Sequence, residues 1–274
     1  MFLAALMMLS AAAPPWPTGD ASQPLSTRLK PPTSYRRKPV EPNSFAAWLR
    51  TLPVKPGRPE VRLFDGRRKA YQHAQWLVLD VDVGRRNLQQ CADAVMRLYA
   101  EWQWAQEDYD RICFRYTSGH RLPWAKWAVG YRPKIEGRRV SLVQRAAPSS
   151  SYTSFRRYLR SVFTYAGTAS LARDLPSVSS PRQIQPGDVF IKGGFPGHAV
   201  IVVDVVENEA GHRKFALAQS YMPAQDIHVL RNPASDGPWF SFSPDTDRLR
   251  TPEWTFDWSE LKRFSRSGCP ARRR

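Results

Sequence analysis

Gly187-Asp-Val-Phe-Ile-Lys-Gly-Gly-Phe-Pro-Gly-His198-Ala-Val-Ile-Val-Val-Asp204 is the stretch on which the fold class turns. It holds two apolar runs, at 188–191 and 198–206, joined by Gly193-Gly-Phe-Pro-Gly197. Short apolar runs bounded by Gly and Pro read as strands with a tight connection between them. Along the second run Ala199, Ile201, Val203 and Val205 alternate with Val200 and Val202. Both sets are apolar, so this strand is covered on both faces. The polar, glycine-bearing segment 207–212 then closes a hairpin onto a third run at 215–221. Pairing by symmetry about Glu209 places His198 opposite Gln219, Ser220 or Tyr221, and opposed residues hold their Cβ atoms ~5 Å apart. An imidazole at the end of an apolar strand therefore gains a polar neighbour from the fold itself. The glycines before it let backbone come close to a bound molecule, which makes Gly193, Gly194, Gly197 and Ser220 candidate binding positions around His198.

Upstream, residues 87–108 have the strongest helical pattern. Leu88, Cys91, Val95, Leu98 and Trp102 fall on one stripe, and Asn87 with Gln90 three residues later forms a capping pair. Cys91 then occupies the fourth helical position. There the unpaired N–H groups and the dipole of the helix still favour a thiolate, and a nearby histidine would complete its activation. The stripe equally allows Cys91 to be a small core residue. A second helix or helix pair covers 154–171 with a break near Gly167, and a short helix covers 45–52. A turn at Asp65-Gly66 marks a hairpin, and 76–83 reads as a strand with Asp80 and Asp82 on one face. Residues 112–117 and 139–145 are further strand candidates, and beyond 232 the pattern is loops and aromatics. The expected fold is α+β, an antiparallel sheet packed against helices.

The chain has 274 residues, 41 Lys+Arg against 24 Asp+Glu, and a formal charge of +17. Residues 1–13 form an apolar run ending in Ala-Ala-Ala, too short to span a bilayer, and read as a secretory signal. Residues 14–43, rich in Pro, Ser and Arg, read as a disordered linker; 44–264 as one α+β domain; 265–274 as a loose basic tail. The expected setting is the periplasm or cell envelope, with no transmembrane segment in the mature chain. The positive charge favours an anionic cell-wall polymer as partner, and nucleic acid is not expected outside the cell. Three cysteines, Cys91, Cys113 and Cys269, do not make a disulfide framework. Neither a phosphate-binding nor a dinucleotide motif occurs, so no cofactor is expected. His73, Asp80, Asp82, His198 and His228 are the residues from which a metal site would have to be assembled, without any paired-ligand spacing to support one.

Two resemblances bear on function. The Gly187-Asp-Val-Phe-Ile … Gly197-His-Ala-Val-Ile block resembles the corresponding block of NlpC-type papain-like cell-wall amidases. That resemblance implies a papain-like core with Cys91, His198 and Gln219 as nucleophile, general base and orienting residue. More of the chain resembles the bacterial domain-of-unknown-function family 4846, through Leu88–Leu98, Tyr165–Leu171, the block from Gly187 and Ala218–His228. The likeness runs over about residues 45–264 and implies an exported or lipid-anchored envelope protein; no lipobox cysteine follows the apolar run here. Three functions follow as expectations: a cysteine hydrolase acting on amide bonds of peptidoglycan or similar material, a non-catalytic envelope binding domain, or a metal-dependent hydrolase.

Overall fold

A computed structural model describes residues 14–137 and 139–265. Its central sheet has eight strands: β1 (Arg36–Arg37), β2 (Gln75–Val78), β3 (Val189–Lys192), β4 (His198–Glu207), β5 (Arg213–Gln219), β6 (His228–Leu230), β7 (Trp239–Ser241) and β8 (Leu261–Lys262). The order is β8-β3-β4-β5-β6-β2, with β7 added to β5 and β1 to β4, and the pairings are antiparallel. Six helices accompany it among the described residues: α1 (Leu25–Arg28), α2 (Phe45–Thr51), α3 (Cys91–Ala105), α4 (Trp124–Ala128), α5 (Tyr152–Tyr165) and α6 (Thr168–Asp174). The fold is α+β, as the sequence led us to expect, and no described helix is long and apolar enough to cross a membrane.

The sheet is buried on both faces. Ala199, Ile201, Ala218 and Val229 join the cluster that includes α2, α3 and α5. Their alternates, Val200, Val202, Leu217 and Leu230, join a second cluster with Phe240, Phe256 and Trp258. The strand alternation expected for β4 holds only to Val203. A bulge between Val202 and Asp204 shifts the register, so Val205 joins the second cluster and Val206 the first. One extra residue inverts the phase of all that follow it. The aromatic-rich segment beyond 232, expected as loops, supplies β7 and the hairpin Arg248–Arg250 with Thr255–Asp257, which lay Phe256 and Trp258 into that second cluster.

Residues 14–43 are not a disordered linker. Trp16, Leu25 and Leu29 are buried in the first cluster, and Arg37 Nε donates to Asp204 Oδ2 at 2.7 Å. Asp204 is fully buried in the middle of β4 and needs cations. Arg37 and Arg50, whose Nε lies 2.8 Å from Asp204 Oδ1, supply them. Asp188 does the same for the other end of the chain, holding Arg263 at 2.6 and 2.9 Å. The two aspartates of the opening stretch thus clamp both ends of the domain to its central strands. Composition hid this, because three apolar anchors spaced through a Pro-rich segment suffice to order it.

The helix expected at 87–108 begins instead at Cys91. Gln90 is its N-cap residue, and Asp93 Oδ2 accepts the Gln90 N–H at 3.0 Å. Asn87 serves a different purpose: its Oδ1 receives the Ala224 N–H at 2.7 Å and ties the approach loop to residue 224. The helix is enclosed on every side, so Arg97, Glu101 and Gln103 are buried along with Val95 and Leu98. The break near Gly167 falls where expected, between α5 and α6. Cys113 is disulfide-bonded, a single bridge that the odd count of cysteines did not point to; Cys91 is the free one among the described residues. The signal segment 1–13, Cys269 and the basic tail beyond Ser265 lie outside the described residues.

Candidate active site

His198 opens β4, and Gln219 closes β5. The pairing Ile201↔Ala218, continued outward, would set Tyr221 across from His198 and Gln219 diagonally beside it. Both reach the imidazole. The Tyr221 ring lies 4.7 Å from the His198 ring, and His198 Nε2 lies 2.8 Å from Gln219 Oε1. Tyr221 and Gln219 are both among the three residues that hairpin symmetry places opposite His198, and Gln219 is the one in hydrogen-bond contact.

The orientation of the Gln219 amide follows from its other partners. Its Nε2 is 2.7 Å from Glu253 Oε2, and that same oxygen accepts from Lys69 Nζ at 2.6 Å. A carboxylate paired with an ammonium can only accept, so the amide end facing it is the NH2. The carbonyl end then faces His198, whose Nε2 must carry the proton. Gln219 Nε2 also lies 3.4 Å from His228 Nε2, while His228 Nδ1–H donates to the Asp226 carbonyl at 3.0 Å. Both imidazoles are buried and neutral. Burial, partly offset by Gln219, pulls His198 down to about 4, and burial with the charge of Lys69 pulls His228 to about 3. His198 Nδ1 is left as a bare lone pair with no hydrogen bond among the described residues. Trp254 lies 5.3 Å from the His198 ring and, with half-buried Tyr221, covers it.

Cys91 is the first residue of α3 and half-buried. Its starting position, three residues nearer the helix end than the sequence implied, strengthens the pull of the first-turn N–H groups. The Ala199 N–H, next to His198 in the chain, and the N–H groups of Cys91 and Ala92 all act to stabilise a thiolate. Burial is stronger than these and pushes the thiol up to about 11, with a charge on Asp93 adding to it. Asp93 is itself held well above the carboxylate range by burial, so at neutral pH the burial of Cys91 dominates. The resting pair is a thiol and a neutral imidazole. Among the described contacts Cys91 touches the Ala199 backbone and makes no hydrogen bond to the His198 ring.

The expected binding glycines do something else. A Cβ on Gly193 would stand 2.9 Å from Ala172 Cβ, and one on Gly197 would meet Thr168 Oγ1 and stand 2.6 Å from the Gly194 carbonyl oxygen. Thr168 Oγ1 donates to that Gly194 carbonyl at 3.2 Å. The loop is pressed against α6, so Gly193 and Gly197 are required by close packing. Ser220 Oγ sits 2.9 Å from both the Gln89 and Gln225 carbonyls and docks the N-terminus of α3 onto the end of β5. The metal candidates are also engaged elsewhere. Asp80 Oδ2 accepts from Gly19 N and Ser22 Oγ, both at 2.6 Å, and Asp82 pairs with Arg97 and Arg156. No group of three His, Cys, Asp or Glu gathers among the described residues.

Lys69, Glu253 and Trp254 were not legible in the sequence. Lys69 and Glu253 are 184 residues apart, in a loop and a peripheral hairpin, and no local pattern connects them. No curated protein and no solved structure matches this chain. The family model described as "Domain of unknown function (4846)" matches residues 25–263, most of the chain, and the protein belongs to that family.

Proposed function

We propose that this protein is a cysteine hydrolase of the bacterial cell envelope, cleaving amide bonds in peptidoglycan or similar cell-wall material. The observation that carries the reading is the amide relay: Glu253 fixes Gln219, and Gln219 fixes His198 as the Nε2–H tautomer with Nδ1 bare. That is the tautomer a base needs when its other nitrogen is to take a proton. The papain-like order, with Cys91 starting a helix, His198 starting a strand and Gln219 on the paired strand, supports it further. A disulfide at Cys113 fits an oxidising compartment, and the charge of +17 fits an anionic polymer as partner.

In this mechanism the Cys91 thiol gives its proton to His198 Nδ1 as Sγ attacks the amide carbonyl carbon. The resulting oxyanion faces the first-turn N–H groups of α3. The imidazolium then protonates the leaving amine as the C–N bond breaks, leaving a thioester. Water, deprotonated by His198, attacks that thioester, releases the carboxylic acid and restores the thiol. Because the resting groups are neutral, the proton moves during attack, and a bound substrate has to bring sulfur and imidazole together.

A second reading, a non-catalytic envelope binding domain, is favoured by one observation: burial holds the thiol at about 11, where it is a poor nucleophile at neutral pH. Digestion of purified peptidoglycan separates the two. The hydrolase releases new amino groups with the wild-type protein and none with Cys91→Ala. Equal release by both removes Cys91 from the mechanism, and sedimentation with peptidoglycan without any release identifies a binder.

A further inference from the structure

The loop 82–89 that leads into α3 and the exposed side of α5 enclose a cavity of about 330 Å³. Arg85, Arg86, Arg156 and Arg160 line it, with Asp82 as the one carboxylate. That carboxylate is already divided: Oδ1 receives Arg97 Nη2 at 2.6 Å and Oδ2 receives Arg156 Nη2 at 2.9 Å. Arg85, Arg86 and Arg160 have no ion pair among the described residues. Burial, and then the charges of Arg86 and Arg157, lower the affinity of the Arg160 guanidinium for its proton, so these cations crowd one another.

Gln89, which lines the same cavity, also carries a buried donor. Gln89 is 2% exposed, and its Oε1 accepts from Arg97 Nη1 at 2.6 Å. This bond fixes the amide and leaves Nε2 as the unpaired end, buried with no acceptor. Native chains seldom leave such a donor unsatisfied, and each case asks for a missing partner. An acceptor that also carries charge would answer both the orphaned N–H2 and the uncompensated guanidinium groups. Forked guanidinium donors match the oxygens of a phosphoryl group, and several cations around one small cavity favour a multiply charged anion over a single carboxylate.

We propose that this cavity is a phosphate-binding site, taking a free phosphate or the phosphomonoester end of a small molecule, held by Arg86, Arg160 and the Gln89 amide. The site is separate from the amide relay and does not depend on hydrolysis at Cys91.

Calorimetric titration of the full chain with inorganic phosphate, and in parallel with glycerol 3-phosphate, tests this at low ionic strength. Saturable binding is expected, weakened at least ~10-fold in Arg86→Gln/Arg160→Gln, since removing one charge-assisted hydrogen bond has an effect of that order. Arg139→Gln/Arg145→Gln removes the same charge from residues that do not line the cavity and should bind as the wild type does. Gln89→Glu keeps the acceptor for Arg97 while replacing the donor with oxygen, and should lose phosphate while its thermal unfolding stays cooperative. Tighter binding of the ester assigns the site to a carried phosphoryl group, and tighter binding of phosphate assigns it to the free anion. The same results are expected on a Cys91→Ala background, so the site and the hydrolase reading fail separately. No saturable binding of either probe, equal weakening by the two arginine pairs, or unchanged binding in Gln89→Glu overturns the proposal.

Discussion

Around Gln219 and around Arg97 the chain buries polar groups in two different ways. The Gln219 network joins two imidazoles through one amide and keeps both neutral, with the Lys69–Glu253 pair at its edge. The Arg97 network buries full charges. Arg97 is fully buried and bonds to the Asp82 carboxylate, the Asp82 carbonyl, Gln89 and Glu101, while Tyr152 and Arg156 reach the same Glu101. A network of charges matched one to one holds geometry and has little freedom to exchange protons. A network of neutral groups with one lone pair left over, His198 Nδ1, retains the capacity to accept one. The contrast suits the first to the chemistry proposed for it and the second to a lock on α3, with surplus positive charge at its outer edge.

The largest effect that separates them is the loss of a lock. Arg97→Met keeps the apolar volume, leaves the Gln89 carbonyl without its donor, and leaves buried Glu101 to Tyr152 and the longer contact with Arg156. Breaking one side of a buried ion pair costs about 3–5 kcal/mol, and urea unfolding should show a loss of that size. A cost under about 1 kcal/mol would mean that the ionic cluster does not hold α3, and the contrast would collapse. Gln219→Leu should cost less, about 1–3 kcal/mol, because it strands hydrogen-bonding groups and no charge is orphaned from its main partner: Glu253 keeps Lys69. Its signature is chemical. Nitrogen NMR should show His198 losing its single Nε2–H tautomer, and peptidoglycan cleavage should fall far more than stability does. An unchanged tautomer in this variant would show that Gln219 does not orient the ring.

Acid should act on the neutral network. The folded values of His198 and His228, about 4 and about 3, lie below the ordinary 6.5. The unfolded chain therefore takes up protons first as pH falls. The stability tied to these rings is present above about 6.5 and lost through that window, at about 1.4 kcal/mol per pH unit for each ring. Asp93, Glu101 and Asp188, all raised by burial, act with the opposite sign. The difference between the wild type and His228→Gln isolates one ring: the variant should show a shallower fall between pH 6 and 4 by about that slope. Parallel curves would mean that His228 is protonated in the folded protein.

How much of this the sequence disclosed depends on distance along the chain. The hairpin partners His198 and Gln219 are 21 residues apart, and the period, loop and pairing between them are all readable. The α3 stripe is readable too, but its start is not. Asn87 and Gln90 fit a capping pair on paper, while the 2.7 Å bond from Ala224 N draws Asn87 away and moves the cap to Gln90. The order of residues 14–43 rests on buried Trp16, Leu25 and Leu29 and on Asp204, a charge inside an apolar run that pairs with Arg37 and Arg50. Gly193 and Gly197 carry a true signal of close approach, and the body that approaches them is α6. Lys69 and Glu253 meet only through tertiary structure, and no pattern within a segment encodes such a pair.

The smallest effect concerns that glycine loop, which delivers His198 to the neutral network. A Cβ at Gly193 would stand 2.9 Å from Ala172 Cβ, a contact that α6 has to yield to. Gly193→Ala should therefore destabilise by roughly 1 kcal/mol, the lower end of overpacking. It should leave the His198–Gln219 bond, and any peptidoglycan cleavage or binding, unchanged once the protein is folded. Thermal unfolding and the digest together decide the point. If Gly193→Ala unfolds as the wild type does but no longer binds or cleaves peptidoglycan, the loop is a cradle for substrate after all, and the neutral network extends past His198 to include it. If only the unfolding temperature moves, the loop belongs with Arg97 and Asp204 among the features that fix position, and chemistry is confined to the lone pair of His198 and whatever thiol reaches it.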